Sequence, residues 1–431
     1  MMKQLIKHNK NTPLFNFLRV KFSSTAATIQ TQQTVNKPIE SKFKEEKLDN
    51  YHDIYEKSKR LAEQISQSKS FICFTGAGLS TSTGIPDYRS TSNTLAQTGA
   101  GAYELEISEE DKKSKTRQIR SQVQRAKPSI SHMALHALME NGYLKHLISQ
   151  NTDGLHLKSG IPYQNLTELH GNTTVEYCKS CSKIYFRDFR CRSSEDPYHH
   201  LTGRQCEDLK CGGELADEIV HFGESIPKDK LVEALTAASQ SDLCLTMGTS
   251  LRVKPANQIP IQTIKNKGQL AIVNLQYTPF DEIAQIRMHS FTDQVLEIVC
   301  QELNIKIPEY QMKRRIHIIR NAETNEIVVY GSYGNHKNIK LSFMQRMEYI
   351  DNKNHVYLAL DKEPFHIIPD YFNFQNINTD QEEVEFRIHF YGHNSEPYFQ
   401  LTLPRQSILE LQAGEHLICD ITFDYDKLEW K

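Results

Sequence analysis

The run Phe71-Ile72-Cys73-Phe74-Thr75-Gly76-Ala77-Gly78-Leu79-Ser80-Thr81-Ser82-Thr83-Gly84-Ile85-Pro86-Asp87-Tyr88-Arg89 joins a short apolar segment to a glycine-rich turn. The segment Phe71–Phe74 reads as a buried strand. Glycines at 76 and 78 would let the backbone turn sharply and approach a pyrophosphate, whose charge suits the N–H groups at the start of a following helix. A Gly-x-Gly alone is equally an ordinary strand-to-helix turn. The extension through Ile85-Pro86-Asp87-Tyr88-Arg89 makes a dinucleotide phosphate loop the more specific reading.

Working outward, residues 51–68 place Tyr51, Ile54, Tyr55, Leu61 and Ile65 at helical spacing. Pro128 to Leu147 predicts a helix ending near Gly142, and Leu147-Ile148-Ser149 a strand. Strand signals recur at Asp242 to Met247 and Leu270 to Asn274, each with loop residues at its C-terminal end. This alternation predicts an α/β fold built on a doubly wound parallel sheet, whose ligands gather at the strand ends. Ser90 to Lys127 is polar, with Lys112, Lys113, Lys115, Arg117, Arg120, Arg125 and Lys127 clustered. It reads as a solvated lid or an exposed helix face rather than a nucleic-acid site. From about residue 313 the texture changes to short β-branched and aromatic runs, such as Glu326-Ile327-Val328-Val329-Tyr330 and Val384-Glu385-Phe386-Arg387-Ile388. Separated by turn residues, they predict an all-β, sandwich-like C-terminal domain over 313–431, a surface for a protein partner or a packing appendage.

At 431 residues the chain should hold two or three folding units. A net charge of -2 and a pI of about 6.8 give no strong nucleic-acid signal. No apolar run approaches the roughly 20 residues that span a bilayer, so no membrane association is expected. Nine cysteines are few for a disulfide scaffold, and four have metal-like spacing, which suits a reducing compartment. Residues 1–49 form a leader. Its first 39 residues lack Asp and Glu but carry Lys3, Lys7, Lys10, Arg19, Lys21 and Lys37. They are similar to a mitochondrial presequence, with a disordered basic tail as the bland alternative.

Cys178-x2-Cys181 and Cys206-x4-Cys211 supply four thiolates for a tetrahedral structural zinc ion with no open position. Cys191, between the pairs, is a possible substitute ligand. Cys73, Cys244 and Cys300 sit in apolar runs and read as buried packing. Gln150-Asn151-Thr152-Asp153 presents amides and a carboxylate at a strand end, suited to ribose hydroxyls and a carboxamide. His170 is the candidate general base, because an imidazole of ordinary pKa accepts protons near neutrality.

Taken in order, Gly76 to Arg89, Gln150 to His156, Glu168-Leu169-His170-Gly171-Asn172, the cysteines, His221-Phe222-Gly223-Glu224, Gly248-Thr249-Ser250 and Asn274-Leu275 resemble the sirtuins, NAD-dependent protein lysine deacylases. The resemblance covers about residues 50–310. Leu157-Lys158-Ser159-Gly160-Ile161-Pro162, Ile219 to Glu224 and Val273 to Pro279 are most similar to the class IV branch, which includes chromatin-associated mammalian sirtuins and so implies a nuclear location. The resemblance implies a Rossmann-like NAD domain over 50–310 with a zinc module at about 171–218. It places Gly76, Ala77, Gly78, Ile85, Asp87, Arg89, Gln150, Asn151, Asp153, Gly248, Thr249, Ser250, Asn274, Leu275 and Gln276 against NAD. His170 and Asn151 become catalytic, with His170 taking a proton from the ribose after the acyl oxygen displaces nicotinamide. Val220 to Glu224 resembles the strand that pairs with the substrate peptide, and the implied partners are acylated protein lysines, histones among them.

Two departures bear on activity. Ser90-Thr91-Ser92-Asn93 lacks the aromatic common in the family's cofactor loop, and Tyr103 is followed by Glu106 instead of the Tyr-x-x-Arg typical of sirtuins that remove acidic acyl groups. An acetyl or longer fatty acyl group is therefore expected. Alternatives are mono-ADP-ribosyl transfer to protein and an NAD- or ADP-ribose-binding scaffold; an intact His170 and Gln-Asn-x-Asp block argue against the scaffold.

Overall fold

A computed structural model describes residues 45–90, 94–95, 98, 108–192, 198–208, 210–334, 339–350, 355–368 and 382–431. The acid-poor leader, Thr91 to Asn93, Tyr103 and Glu106 lie outside these residues. The first helix, Tyr51–Gln67, starts at Asn50, whose Oδ1 accepts the Asp53 N–H at 3.0 Å. It buries Ile54, Leu61 and Ile65, the helical stripe read from the sequence.

Strands β1 (Phe71–Thr75), β2 (Leu144–Ser149) and β3 (Leu166–Glu168) pair in parallel. The chain then leaves for a small module of β4 (Val175–Cys178), β5 (Ile184–Arg187), β6 (Leu201–Gln205) and β7 (Glu214–Asp217). It returns as β8 (Leu243–Met247), β9 (Gln269–Val273) and β10 (Ile286–Met288). The central sheet has the order β10-β9-β8-β1-β2-β3. Every residue of β1 and β8 is buried, as in a parallel strand covered on both faces. From β1 the sheet grows one way through β2 and β3 and the other way through β8 to β10. The direction reverses between β1 and β8, where a ligand crevice forms at the strand C-terminal ends.

One expectation is corrected here. No α-helix directly follows the glycine turn; Ala77–Leu79 and Thr81–Thr83 form two 3-10 turns. The Thr81 and Thr83 hydroxyls donate to the Gly78 and Ser80 carbonyls at 2.9 and 2.7 Å, and Gly84 at φ +86° with Pro86 beyond stops propagation.

The C-terminal region contains β11 (Met312–Arg320), β12 (Ile327–Tyr333), β13 (Leu341–Ser342), β14 (Met344–Ile350), β15 (Val356–Leu360), β16 (Phe365–Ile367), β17 (Glu383–Phe390), β18 (Phe399–Pro404), β19 (His416–Asp424) and β20 (Glu429–Trp430). They form two antiparallel sheets, β16-β12-β11-β19-β20 and β15-β14-β17-β18. β17 alternates strictly, with Val384, Phe386, Ile388 and Phe390 turned inward. Strand β13 instead joins the module, pairing in parallel with β5 through Leu341 and Phe186. One hydrophobic cluster includes Ile54 and Leu147 of the α/β part together with Ile316, Phe343 and Phe386 of the β part. No helix among the described residues is long and apolar enough to cross a membrane.

Where the β part meets the module, Arg314 Nη2 lies 3.2 Å from both carboxylate oxygens of Asp188, and the Arg314 side chain is only 3% exposed. Removing one partner of such a pair leaves a poorly solvated charge. Arg314→Met is expected to destabilise the chain by about 3–5 kcal/mol, with Asp188→Asn recovering part in the double variant. A loss under about 1 kcal/mol in denaturant unfolding would show that the pair is no tie.

Candidate active site and metal centre

A cavity of about 640 Å³ opens at the C-terminal ends of the central strands. After β1 it is lined by Gly76, Ala77, Gly78, Ile85, Asp87 and Arg89; after β2 by Gln150, Asn151 and Asp153; after β3 by His170. The loops after β8 and β9 add Gly248, Thr249, Ser250, Asn274, Leu275 and Gln276. The structure thus brings together every residue that the sequence assigned to cofactor or catalysis.

Their contacts refine what each can do. A Cβ on Gly76 would lie 2.6 Å from Thr249 Cβ, and the Gly76 and Gly78 N–H groups donate to Met247 O at 3.0 Å and Gly248 O at 2.8 Å. These glycines let the β1 and β8 loops touch, and their own N–H groups are committed within the protein. Asp87 folds onto its own loop, accepting from the Arg89 and Ser90 N–H groups at 3.1 and 2.8 Å. Asp153, buried so that its pKa is raised, accepts from the Ser80 hydroxyl at 2.7 Å and the Leu155 N–H at 2.9 Å. Asn151 Nδ2 donates to Gly76 O and Ser80 Oγ, and Gln150 Nε2 to Thr249 Oγ1. Both amides therefore have their N–H donors engaged within the protein, which leaves their carbonyl oxygens as the groups to accept from a ligand.

His170 Nδ1 is 3.0 Å from Gln150 O. A carbonyl only accepts, so Nδ1 carries the proton and Nε2 keeps its lone pair. Burial lowers the ring's pKa, only partly opposed by the Gln150 bond, so the imidazole is neutral at pH 7. The loop that carries it is clamped. Asn172 Nδ2 donates to both Glu168 oxygens at 2.9 and 3.1 Å, and a Cβ at Gly171, φ +77°, would fall 1.9 Å from Glu218 O. His170 O accepts the Val220 N–H at 3.0 Å, tying the base to the segment expected to hold a peptide. That segment, 219–224, lies along the cavity without forming a strand.

Two cavity walls escaped the sequence reading. Helix Glu109–Arg125, read as a lid or solvated face, contributes Ile119, Arg120, Val123 and Gln124. The Ile119–Val123 pair, one helical turn apart in an otherwise charged run, was the available signal. Arg190 and Arg192 come from the chain leaving β5, and no local pattern marks them.

In the module the Sγ atoms of Cys178, Cys181, Cys206 and Cys211 all lie within 4.8 Å of one another, with Cys178–Cys211 at 3.6 Å and Cys181–Cys206 at 3.7 Å. Tetrahedral zinc with bonds of about 2.3 Å sets sulfurs roughly 3.8 Å apart, so the donor set fits the ion. The Cys181 and Ser180 N–H groups help pull the Cys178 thiol down to about 6, which favours the thiolate that a metal needs. Cys191 is buried, its Sγ directed to Phe189 O, and lies outside the cluster. The longer second spacing is absorbed by a turn in which the Cys211 N–H donates to Asp208 O at 2.9 Å.

A model of the Sir2 family matches residues 76–255. The chain is similar to NAD-dependent protein deacetylase SRT1 of Arabidopsis thaliana, 37% identical over 74% of this chain and 66% of the relative. It is also similar to NAD-dependent protein deacetylase Sirt6 of Drosophila melanogaster, 35% identical over 62% of this chain and 81% of the relative. An NAD-dependent protein deacetylase of Sulfolobus acidocaldarius is 37% identical over 54% of this chain and 90% of its own length. The matches span under two thirds of the plant relatives, 66% and 54%, but most of the fly and archaeal ones. With the strand-end cavity and the four-cysteine module in the same order along the chain, these matches place the protein in the Sir2 family.

Proposed function

We propose that the chain is an NAD-dependent protein lysine deacylase that, with uptake of one water, moves the acyl group of a modified lysine to ADP-ribose, releasing nicotinamide and free lysine. The observation that carries this is the lone-pair Nε2 of His170 in a strand-end cavity whose amides present acceptor oxygens. The relatives' shared designation as NAD-dependent protein deacetylases supports it. Bound NAD supplies the electrophilic ribose carbon and the nicotinamide leaving group. The Gln150 and Asn151 carbonyl oxygens accept from its hydroxyl or carboxamide donors. His170 Nε2 takes a hydroxyl proton, and the cation formed is steadied by the Nδ1–H bond to Gln150 O. Segment 219–224 offers main-chain groups to an extended peptide, which would bind with little sequence demand. The substrates are acylated protein lysines, with histones among the candidate carriers.

Nicotinamide release with and without an acetyl-lysine peptide, followed by mass spectrometry of the peptide, tests the reading. Peptide-dependent release with loss of the acetyl mass is expected. An intact acetyl group with an added ADP-ribose mass would replace it by mono-ADP-ribosyl transfer, and no release with any acyl peptide would leave an NAD-binding scaffold.

A further inference from the structure

Three arginines face the cavity from two walls, Arg120 from helix Glu109–Arg125 and Arg190 and Arg192 from the chain that leaves β5. Their charges meet different surroundings. Arg192 Nη1 lies 3.5 Å from Asp217 Oδ2 and 2.7 Å from His221 Nε2. His200 bridges the remaining carboxylates, 3.1 Å from Asp217 and 2.9 Å from Glu224. Glu224 and one oxygen of Asp217 are thereby engaged, while the Asp217 charge also acts on Arg190. Among the described residues no carboxylate forms an ion pair with Arg120 or Arg190. Arg190 Nη1 donates to the Arg192 carbonyl at 3.1 Å. Burial, with the neighbouring Arg120 and Arg192 charges, pushes the Arg190 pKa down to about 10.

Two half-buried like charges with no ion-paired carboxylate among the described residues are unfavourable until an anion joins them. A guanidinium fork suits a carboxylate, which it holds by two parallel hydrogen bonds. Arg192 reaches His221, which lies on the segment expected to hold the peptide, so this wall faces the substrate side of the cavity. We infer, building on the deacylase reading, that Arg120 and Arg190 form an anion subsite for a carboxylate of the acylated substrate, borne by the acyl chain or by a residue beside the lysine. The Tyr-x-x-Arg signature is then not needed for an acidic substrate, because the cations come from helix Glu109–Arg125 and from the chain leaving β5.

Three peptide series decide it: acetyl-lysine with neutral flanks, acetyl-lysine with Asp or Glu flanks, and succinyl-lysine with neutral flanks. Wild type is expected to favour one acidic series over the neutral one in kcat/KM by roughly 10–100-fold, the worth of a charge-assisted hydrogen bond or two. Which series it is locates the carboxylate. In Arg190→Gln and Arg120→Gln the ratio should fall toward one through peptide KM, with Arg190→Lys keeping part of it. Fluorescence anisotropy of the same peptides without NAD reads the subsite directly, so failed turnover would count against the deacylase reading while discrimination in binding still decides the subsite. An unchanged ratio in the variants, a wild-type ratio near one, or a rise in the KM for NAD in place of peptide KM would overturn the inference.

Discussion

His170→Ala is expected to cut turnover of an acyl-lysine peptide by roughly 10²–10⁴-fold, the usual share of a positioned general base, while NAD affinity shifts only a few-fold. The size follows from the geometry. Nδ1 is committed to Gln150 O, so Nε2 is the ring's one free acceptor; the other imidazole of the cavity lining, His221, has its Nε2 2.7 Å from Arg192 Nη1. His132 and His156 lie nearby but are buried, and burial drives both pKa values down, that of His156 to about 3. Neither has a path to a substrate hydroxyl. The pH dependence carries a sign that can be checked. Catalysis needs the unprotonated ring, and burial lowers the His170 pKa, so the active form persists as pH falls below 6.5, the ordinary imidazole value. The acid limb of kcat/KM should therefore have its midpoint below that of a free imidazole. A midpoint at or above 6.5, or an alanine variant within tenfold of wild type, would remove His170 from the role of base.

What the sequence revealed depended on how local each signal was. β1, β8 and β9 were legible because strands buried on both faces are unbroken apolar runs, and a turn at each strand end marked where ligands collect. Gln150, Asn151, Asp153 and His170 followed from family-like blocks at those ends. The cysteine pairs were legible by spacing, yet spacing alone could not dismiss Cys191; only its place outside the sulfur cluster, with Sγ directed to Phe189 O, does so. That Gly76 and Gly78 also make room for the β8 loop was not legible, because the residues they accommodate, Thr249 and Gly248, lie far along the chain. For the same reason the β5–β13 pair was invisible, since Phe186 and Leu341 lie far apart in the sequence. Segment 219–224 resembled a strand by its family-like block, yet it forms none in the structure.

Stripping the metal from the four-cysteine cluster, or replacing Cys211 by serine, is expected to reach well beyond the module. Its own hydrophobic core is only Cys178, Tyr185, Cys206 and Leu215 with Cys211 packed against them, so three of these five residues are ligands and the ion is most of the core. Structural zinc contributes about 10–16 kcal/mol in small domains at neutral pH, far more than two buried non-ligand side chains replace. The module is also a junction. Arg187 of β5 reaches Glu176 at 2.7 Å, Glu207 at 2.5 Å and the Ser342 hydroxyl of β13 at 2.5 Å, and the next residue, Asp188, holds Arg314. Two residues further on the same chain enters the cavity wall at Arg190. Loss of the ion should therefore lower amide-exchange protection together in β4 to β7, in β13 and in 219–224, while β1 and β8 keep theirs. Metal analysis should give about one zinc per chain before chelation, with peptide turnover falling as it leaves. Protection lost from the module alone, with β13 and the cavity wall unchanged, would mean that the metal holds a decoration and not the joint between the catalytic sheet and the C-terminal sheets.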